Sequence, residues 1–305
     1  MGERGRARPA PRLTKPRREG EIPLACGRTL GFAEYGAARG RPVLWFHGTP
    51  GGSRQIPPAA RRAARERGVR LIAVERPGVG ASTPHLYPSV RGFSEDVAEL
   101  ADRLGLDRFG LIGWSGGGPY VLACAHDLED RVTGGAVLGG VAPALGDEAV
   151  PGGAVEVLAR LGPLIELGRG PLARAVWAVV RTLRPLGSQV FDLYLVTATE
   201  GDRRVFRRPE IKAMFMDDLI HASRRHLHAP VHDVVLFSRE WGFSLRDIRV
   251  PIRFWHGDAD PFVPLSHAKH QAALVPDSAL RVLPGEGHLG NLDASEEILD
   301  ALMQL

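Results

Sequence analysis

Apolar and polar positions along this chain change their period twice, and the changes divide it into three stretches. From about residue 28 to 142, short apolar runs of strand length alternate with segments of helical period. Leu30 to Gly36, Val43 to Phe46, Val69 to Val74, Phe109 to Ile112 and Val132 to Leu138 read as strands. Val43-Leu44-Trp45-Phe46 is continuously apolar, the pattern of a strand buried on both faces. Between them, Pro57 to Arg67 predicts a helix with proline at its start and Gly68 beyond its end. Ser94 is placed to cap a helix with Val97, Leu100 and Leu104 on one face, Glu95 and Asp96 in its first turn, and Gly105 as its stop. A further helix is expected from about Gly118.

From about residue 143 to 245 the strand-like runs disappear. Leu172, Ala175, Val176, Val179 and Leu183 share one face of a helix opening at Pro171, and Ile211, Met214, Phe215 and Leu219 share one face of another. Alternation then resumes with Val250 to Trp255, a helix around Ser266 to Leu274, a strand at Ala279 to Leu283 and a terminal helix from about Leu292. The expected fold is α/β, a mostly parallel twisted sheet with flanking helices. Residues 21–142 and 246–305 would form its core, with 143–245 as an inserted helical cap over the carboxyl ends of the strands, where such folds bind ligands.

The 305 residues are enough for one substantial core. Net charge is +4, but residues 1–20 carry seven arginines and lysines against Glu3 and Glu19, so the excess belongs to that segment. Its proline and glycine content and lack of periodicity predict a disordered basic tail. Without aromatic residues or a folded basic face, it gives no reason to expect a nucleic-acid partner. Arg17-Arg18 has the look of a twin-arginine signal, yet Glu19, Glu21, Pro23 and Arg28 break up the stretch after it, and no run suits membrane insertion. Cys26 and Cys124 have neither metal nor redox spacing. A cytoplasmic protein with reduced thiols is the expectation.

The chemistry is concentrated at strand ends. Gly113-Trp114-Ser115-Gly116-Gly117 sits between an apolar strand and a helix. A serine between glycines at that junction makes a tight turn that lifts its hydroxyl above the sheet edge. His47-Gly48-Thr49-Pro50-Gly51-Gly52 follows a second strand, Gly257-Asp258-Ala259-Asp260-Pro261-Phe262-Val263-Pro264 a third, and Gly285-Glu286-Gly287-His288 the last. Taken singly, Asp260 could be a turn residue and His288 a loop histidine. Their order with the serine argues for a shared task.

Together these motifs resemble the α/β-hydrolase family, from about residue 28 to the C-terminus. The His-Gly-x-Pro-Gly loop is similar to that of the proline iminopeptidase and esterase-like branch, and Glu75 to Ser82 resembles another shared loop in which Glu75 usually is Asp. The resemblance implies a Ser-acid-His triad in chain order. Carried over, Ser115 would be the nucleophile, His288 the base and Asp260 the orienting acid, with Asp258 as the rival. Such a site works because an imidazole takes the serine proton while a buried carboxylate holds its tautomer. Backbone N–H groups of Thr49 and Gly116 would form the oxyanion hole, since Pro50 has none to give. His47 would shape its loop.

The expected activity is hydrolysis of an ester or related acyl bond through an acyl-serine. Proline iminopeptidase-like aminopeptidase activity, lyase or C–C bond chemistry, and a non-catalytic binding role are the alternatives. No cofactor or metal is implied, because His221, His226, His228, His232 and Asp233 lack a clear ligand spacing. Asp217, Asp218 and Glu210 could imitate an amine-gripping carboxylate, but nothing selects one. Trp114, Met214 and Phe215 are the expected substrate-binding side chains, with Trp177, Phe191, Tyr194, Phe206 and Leu219 as further apolar lining. A pocket of this kind predicts a neutral, apolar small-molecule substrate.

Overall fold

The computed structural model describes residues 13–305, apart from the side chains of Ser188, Tyr194 and Thr197. Eight strands form one sheet in the order β1-β2-β4-β3-β5-β6-β7-β8. They are β1 (Arg18–Pro23), β2 (Thr29–Gly36), β3 (Arg41–Phe46), β4 (Val69–Val74), β5 (Phe109–Trp114), β6 (Val132–Leu138), β7 (Ile252–Gly257) and β8 (Ser278–Leu283). The first two pair antiparallel and β2 meets β4 antiparallel; from β4 through β8 every pairing is parallel. The continuous apolar character of β3 and β5 follows from burial on both sides: Leu44, Phe46 and Leu111 belong to one core cluster, Val43, Trp45 and Ile112 to the other.

Helices α1 (Pro58–Glu66), α2 (Phe93–Arg103), α3 (Gly118–Asp127), α10 (Leu265–Leu274) and α11 (Ser295–Met303) accompany the sheet. Proline opens α1 and Gly68 follows it at φ +65°, as the sequence predicts. One detail differs. Phe93 already begins α2, and the Ser94 hydroxyl, within reach of both Asp127 and the Arg91 carbonyl, gives its one proton to one of these acceptors instead of capping the helix.

The expectation of a disordered tail through residue 20 is corrected for its end. Residues 1–12, with Arg4, Arg6, Arg8 and Arg12, lie outside the described residues, but β1 begins at Arg18. Its register sets Ile22 opposite Leu30. Arg17 and Arg18 pair with Glu34, which is fully buried and also accepts from Arg70. Further upstream, the Arg61 guanidinium donates to the Thr14 carbonyl at 2.6 Å. A polar edge strand can form without an apolar alternation when its neighbour supplies backbone partners and a buried counter-charge. Composition alone carries no such information.

Between β6 and β7 the chain forms α4 (Gly153–Leu167), α5 (Arg169–Leu183), α6 (Gly187–Thr197), α7 (Glu200–Phe206), α8 (Pro209–Ala222) and α9 (Ala229–Phe237). The helix expected to open at Pro171 starts two residues earlier. This helical insertion packs internally through α4 and α5 against α9 and through α6 and α7 against α8. Among the described residues, no helix is long and apolar enough to cross a membrane.

Sheet order decides where the site lies. The chain runs from β3 outward to β4 and then returns to β5 on the other side of β3. Loops leaving β3 and β5 therefore diverge, opening the crevice that parallel sheets offer at their carboxyl edge.

Candidate active site

Ser115 has φ +53° and is the one described non-glycine residue with positive φ. Its neighbours explain how the turn is tolerated. A Cβ at Gly113 would lie 2.5 Å from the Gly117 carbonyl oxygen, and one at Gly117 would collide with the Phe46 carbonyl oxygen. Only glycines let the strand, the turn and β3 approach so closely. The turn leads directly into α3, which starts at Gly118.

The loops after β7 and β8 reach the same point. His288 Nε2 lies 2.8 Å from Ser115 Oγ, and His288 Nδ1 lies 2.6 Å from Asp260 Oδ2. Asp260 Oδ1 accepts from the Phe262 and Val263 amides at 2.9 and 3.0 Å, which fixes the carboxylate in its turn. Asp258 instead accepts from the Gly285 amide at 2.7 Å and ties two loops together. Of the two aspartates, only Asp260 is in contact with His288.

Burial opposes protonation of His288, yet the Asp260 charge and hydrogen bond, with a further contribution from Asp202, raise its pKa above the ordinary imidazole value. Burial likewise works to raise the pKa of Asp260, but His288 and the backbone N–H of Val263 hold it below the usual carboxylate range. An ionised carboxylate beside a basic imidazole is the state in which Nε2 can take a proton from a neighbouring hydroxyl.

Thr49 and Gly116 come together on the other side of Ser115. A Cβ on Gly116 would strike Thr49 Oγ1, so the Thr49 side chain lies directly against the Gly116 backbone. The Thr49 loop is clamped from several directions. Gln55 accepts from the Gly48 amide at 2.6 Å and donates to the Pro50 carbonyl at 3.0 Å. Asp218 of α8 accepts from the Gly52 and Arg54 amides, each at 3.0 Å. The Thr49 hydroxyl donates to Asp233 of α9. Asp233 also accepts from Arg76 at 2.7 Å and from the Tyr120 hydroxyl at 2.6 Å, while Arg76 donates to the His47 and Gly48 carbonyls. Arg76 and Asp233 are buried, so this ion pair joins sheet and insertion out of water. His47 links its loop to the next, with Nδ1 2.8 Å from the Gly48 carbonyl oxygen and Nε2 accepting from the Arg76 amide at 3.3 Å, and burial first, then Arg76, drives its pKa well down.

Two cavities open on Ser115. The first, about 390 Å³, is lined by Trp114, Phe191, Phe206, Phe215, Leu219 and His288 among others; the second, about 500 Å³, includes Gly116, Val141, Val150, Ala159 and Phe237. Trp114 and Phe215 therefore lie where the sequence suggests. Met214 does not. It is fully buried in the core cluster, because one residue's rotation around α8 turns it from the cavity that Phe215 faces. Trp177 also points elsewhere, its indole N–H donating to the Ser223 carbonyl at 2.9 Å. The side chain of Tyr194 lies outside the described residues.

Asp218 lines the first cavity, whereas Asp217 pairs with Arg54 at 3.1 Å. Burial pushes the Asp218 pKa up to about 7, against the lowering effect of its backbone hydrogen bonds. Three histidines of the insertion are engaged with backbone: His221 with the Asp217 carbonyl at 2.8 Å, His226 with the Ser82 carbonyl at 2.7 Å and His232 with the His85 carbonyl at 3.1 Å. Among the described residues, no group of three His, Cys, Asp or Glu side chains is arranged to hold a metal ion.

Sequence reasoning misses the clamp formed by Arg76, Tyr120, Asp218 and Asp233. Arg76 does stand in the Glu75 to Ser82 motif, where a charge beside Pro77-Gly78 is a usable signal. Asp233 carries no such mark in its helix.

Comparison with known proteins places the fold. A probable proline iminopeptidase of Leptolyngbya boryana is 30% identical over 39% of this chain, a match spanning only 37% of that relative's own length. An uncharacterized hydrolase of Bacillus subtilis is 24% identical over 86% of this chain and 89% of its own. The solved structure of an esterase from Exiguobacterium antarcticum superposes with a TM-score of 0.67 at 20% identity, covering 93% of this chain and 97% of that one, a likeness of fold. The model of the alpha/beta hydrolase fold family matches residues 41–295. This chain, with its parallel sheet, strand-end loops and helical insertion, belongs to the alpha/beta hydrolase fold family.

Proposed function

We propose that the protein is a serine hydrolase that cleaves a neutral ester or related acyl bond through a covalent acyl-Ser115 intermediate. The observation that carries this reading is the continuous contact from Ser115 Oγ through His288 to Asp260, opening onto apolar cavities. Ser115 attacks the acyl carbon while His288 Nε2 takes its proton, and Asp260 stabilises the resulting imidazolium. Thr49 and Gly116 amides receive the negative charge on the carbonyl oxygen. His288 then protonates the leaving group. Water adds to the acyl-enzyme by the same proton route, releasing acid and restoring Ser115. The helical insertion acts as the cap over this site.

Ser115→Ala should abolish both turnover and covalent labelling by a fluorophosphonate while leaving the far-UV circular dichroism unchanged. Retained turnover would refute the nucleophile.

Asp218 supports a second reading, aminopeptidase activity, as in the proline iminopeptidase relatives, because it is a carboxylate in the first cavity. Its two oxygens already accept backbone N–H groups, which favours a loop-holding role. Rates on p-nitrophenyl esters against proline and alanine anilides decide between them, with esters expected to be faster.

A further inference from the structure

The two cavities meet at Ser115 but do not share the same chemical groups. Both are lined by Thr49, Ser115, Val155 and Leu158. His288 lines only the first, and Gly116 only the second. This asymmetry gives direction to a bound ester. In the tetrahedral adduct the anionic oxygen faces the Thr49 and Gly116 amides. The oxygen that leaves must take its proton from His288 Nε2, so it has to lie on the His288 side. The remaining substituent, the acyl chain, extends the opposite way.

The walls of the two arms differ too. In the first, Phe191, Phe206 and Phe215 lie ring against ring, with centroid separations of 5.1 Å for Phe191–Phe206 and 5.2 Å for Phe206–Phe215. Trp114 continues this wall, 5.9 Å from Phe215 and 5.6 Å from His288. Such a surface presents faces and edges to a flat ring. The second arm is walled mainly by aliphatic side chains, Val141, Val150 and Ala159 among them. Its charged members are already paired: Glu156 with Arg160, and Asp233 with Arg76. The first arm holds one carboxyl group, Asp218, but both of its oxygens are engaged by the Gly52 and Arg54 amides, so neither arm presents a free charge to offset burial of an ionised substituent.

We infer that the substrate is a two-armed neutral ester, with an aromatic alcohol part held in the Trp114–Phe215 arm beside His288 and an aliphatic acyl chain held in the Val141–Ala159 arm beside Gly116. This rests on the serine hydrolase reading. In acylation, the Ser115 Oγ–acyl bond forms as the serine proton passes to His288 Nε2; the acyl–alkoxy bond then breaks as that proton passes to the departing alcohol. The alcohol leaves its arm while the acyl chain remains in the other. Water then forms the acid, its proton passing through His288 back to Ser115. Filling the first arm must therefore affect acylation alone, whereas filling the second affects acylation and deacylation together.

The isomeric esters benzyl heptanoate and hexyl phenylacetate test this, because they carry equal apolar bulk with the ring on opposite sides of the ester. With rates normalised to alkaline hydrolysis, the wild-type protein should prefer benzyl heptanoate at least tenfold in kcat/KM. Leu219→Trp narrows the first arm and should depress benzyl heptanoate at least tenfold more than methyl heptanoate. Ala159→Phe narrows the second and should depress benzyl heptanoate at least tenfold more than benzyl acetate, and also slow deacylation in single-turnover measurements. Fluorophosphonate labelling of Ser115 in each variant reports an intact site. Labelled proteins that cleave both isomers equally, or show the crossed pattern reversed, overturn the assignment of the arms while leaving the serine hydrolase reading in place. Absence of both labelling and ester cleavage in the wild type overturns that reading and the inference with it.

Discussion

The sheet and the helical insertion solve different problems with different contacts. The carboxyl edge of the sheet holds Ser115, Asp260 and His288 through backbone: a glycine-lined turn, two amides on Asp260, and parallel strand ladders beneath them. The insertion touches the sheet's loops by a short backbone bridge, with Gly80 N–H donating to the Ala222 carbonyl at 2.8 Å and His228 N–H to the Gly78 carbonyl at 2.7 Å, but it reaches the site through side chains. Asp233 and Asp218 hold the Thr49 loop, and Asp202 accepts from the Leu289 amide at 2.8 Å beside His288. Most exposed large apolar side chains also lie in the insertion, Leu164, Leu167, Leu193 and Val196 among them. One region is specified by hydrogen-bonded backbone throughout, the other by a few polar anchors, one short backbone bridge and helix packing. An acid–base relay tolerates little displacement, whereas a pocket wall can vary and still enclose a substrate.

The largest effect should come from breaking the backbone-held part. Asp260→Asn should lower kcat by about a thousandfold or more, because an amide can neither hold the imidazole tautomer nor stabilise its cation. Asp258→Asn, which loosens a contact to the Gly285 amide, should cost far less. Equal losses in the two variants would mean that loop integrity, not the contact with His288, explains the result.

The connection between the regions is next. Asp233→Ala strands the buried Arg76 guanidinium and removes acceptors from Thr49 and Tyr120. Loss of one member of a buried pair typically costs about 3–5 kcal/mol. Urea unfolding monitored by tryptophan fluorescence should show this as a lower midpoint. A change below about 1 kcal/mol would mean that sheet and insertion are joined chiefly by apolar packing.

Titration sharpens the electrostatic side. His288 must be neutral to accept a proton, and burial, outweighed by Asp260, leaves its pKa raised. Activity should therefore be present at high pH and fall about tenfold per unit below the His288 pKa, at a pH above the free imidazole value of about 6.5. In Asp260→Asn the residual activity should retain neutral His288 to lower pH, moving this limb downward. A limb that does not move would assign it to another group.

The smallest effect is expected on the outer surface of the insertion. Leu167→Ser and Leu193→Ser replace side chains that are 86% and 71% exposed, and each should alter unfolding free energy by no more than about 0.5 kcal/mol. A clear loss of stability on diluting the wild type but not these variants would reveal a partner covering that face.

Legibility divides along the same boundary. Strands β3, β4, β5 and β6 are plain in the chain because burial on both faces demands largely apolar runs, with Arg70 in β4 and Thr133 in β6 confined to the strand starts. Ser115 is plain because a turn this tight admits only glycine at positions 113, 116 and 117. These elements and the order of the motifs are written locally in the chain, since each depends on neighbours a few residues away. Tertiary structure decided the rest. It brought Asp260 rather than Asp258 to His288, turned Met214 inward beside Phe215, and drew Arg18 to Pro23 into the sheet. It also set Asp233 against Arg76, 157 positions away in the chain. A local pattern records which face a residue shows, but which residue meets that face depends on sheet order and helix packing, and those exist only once the whole chain has assembled.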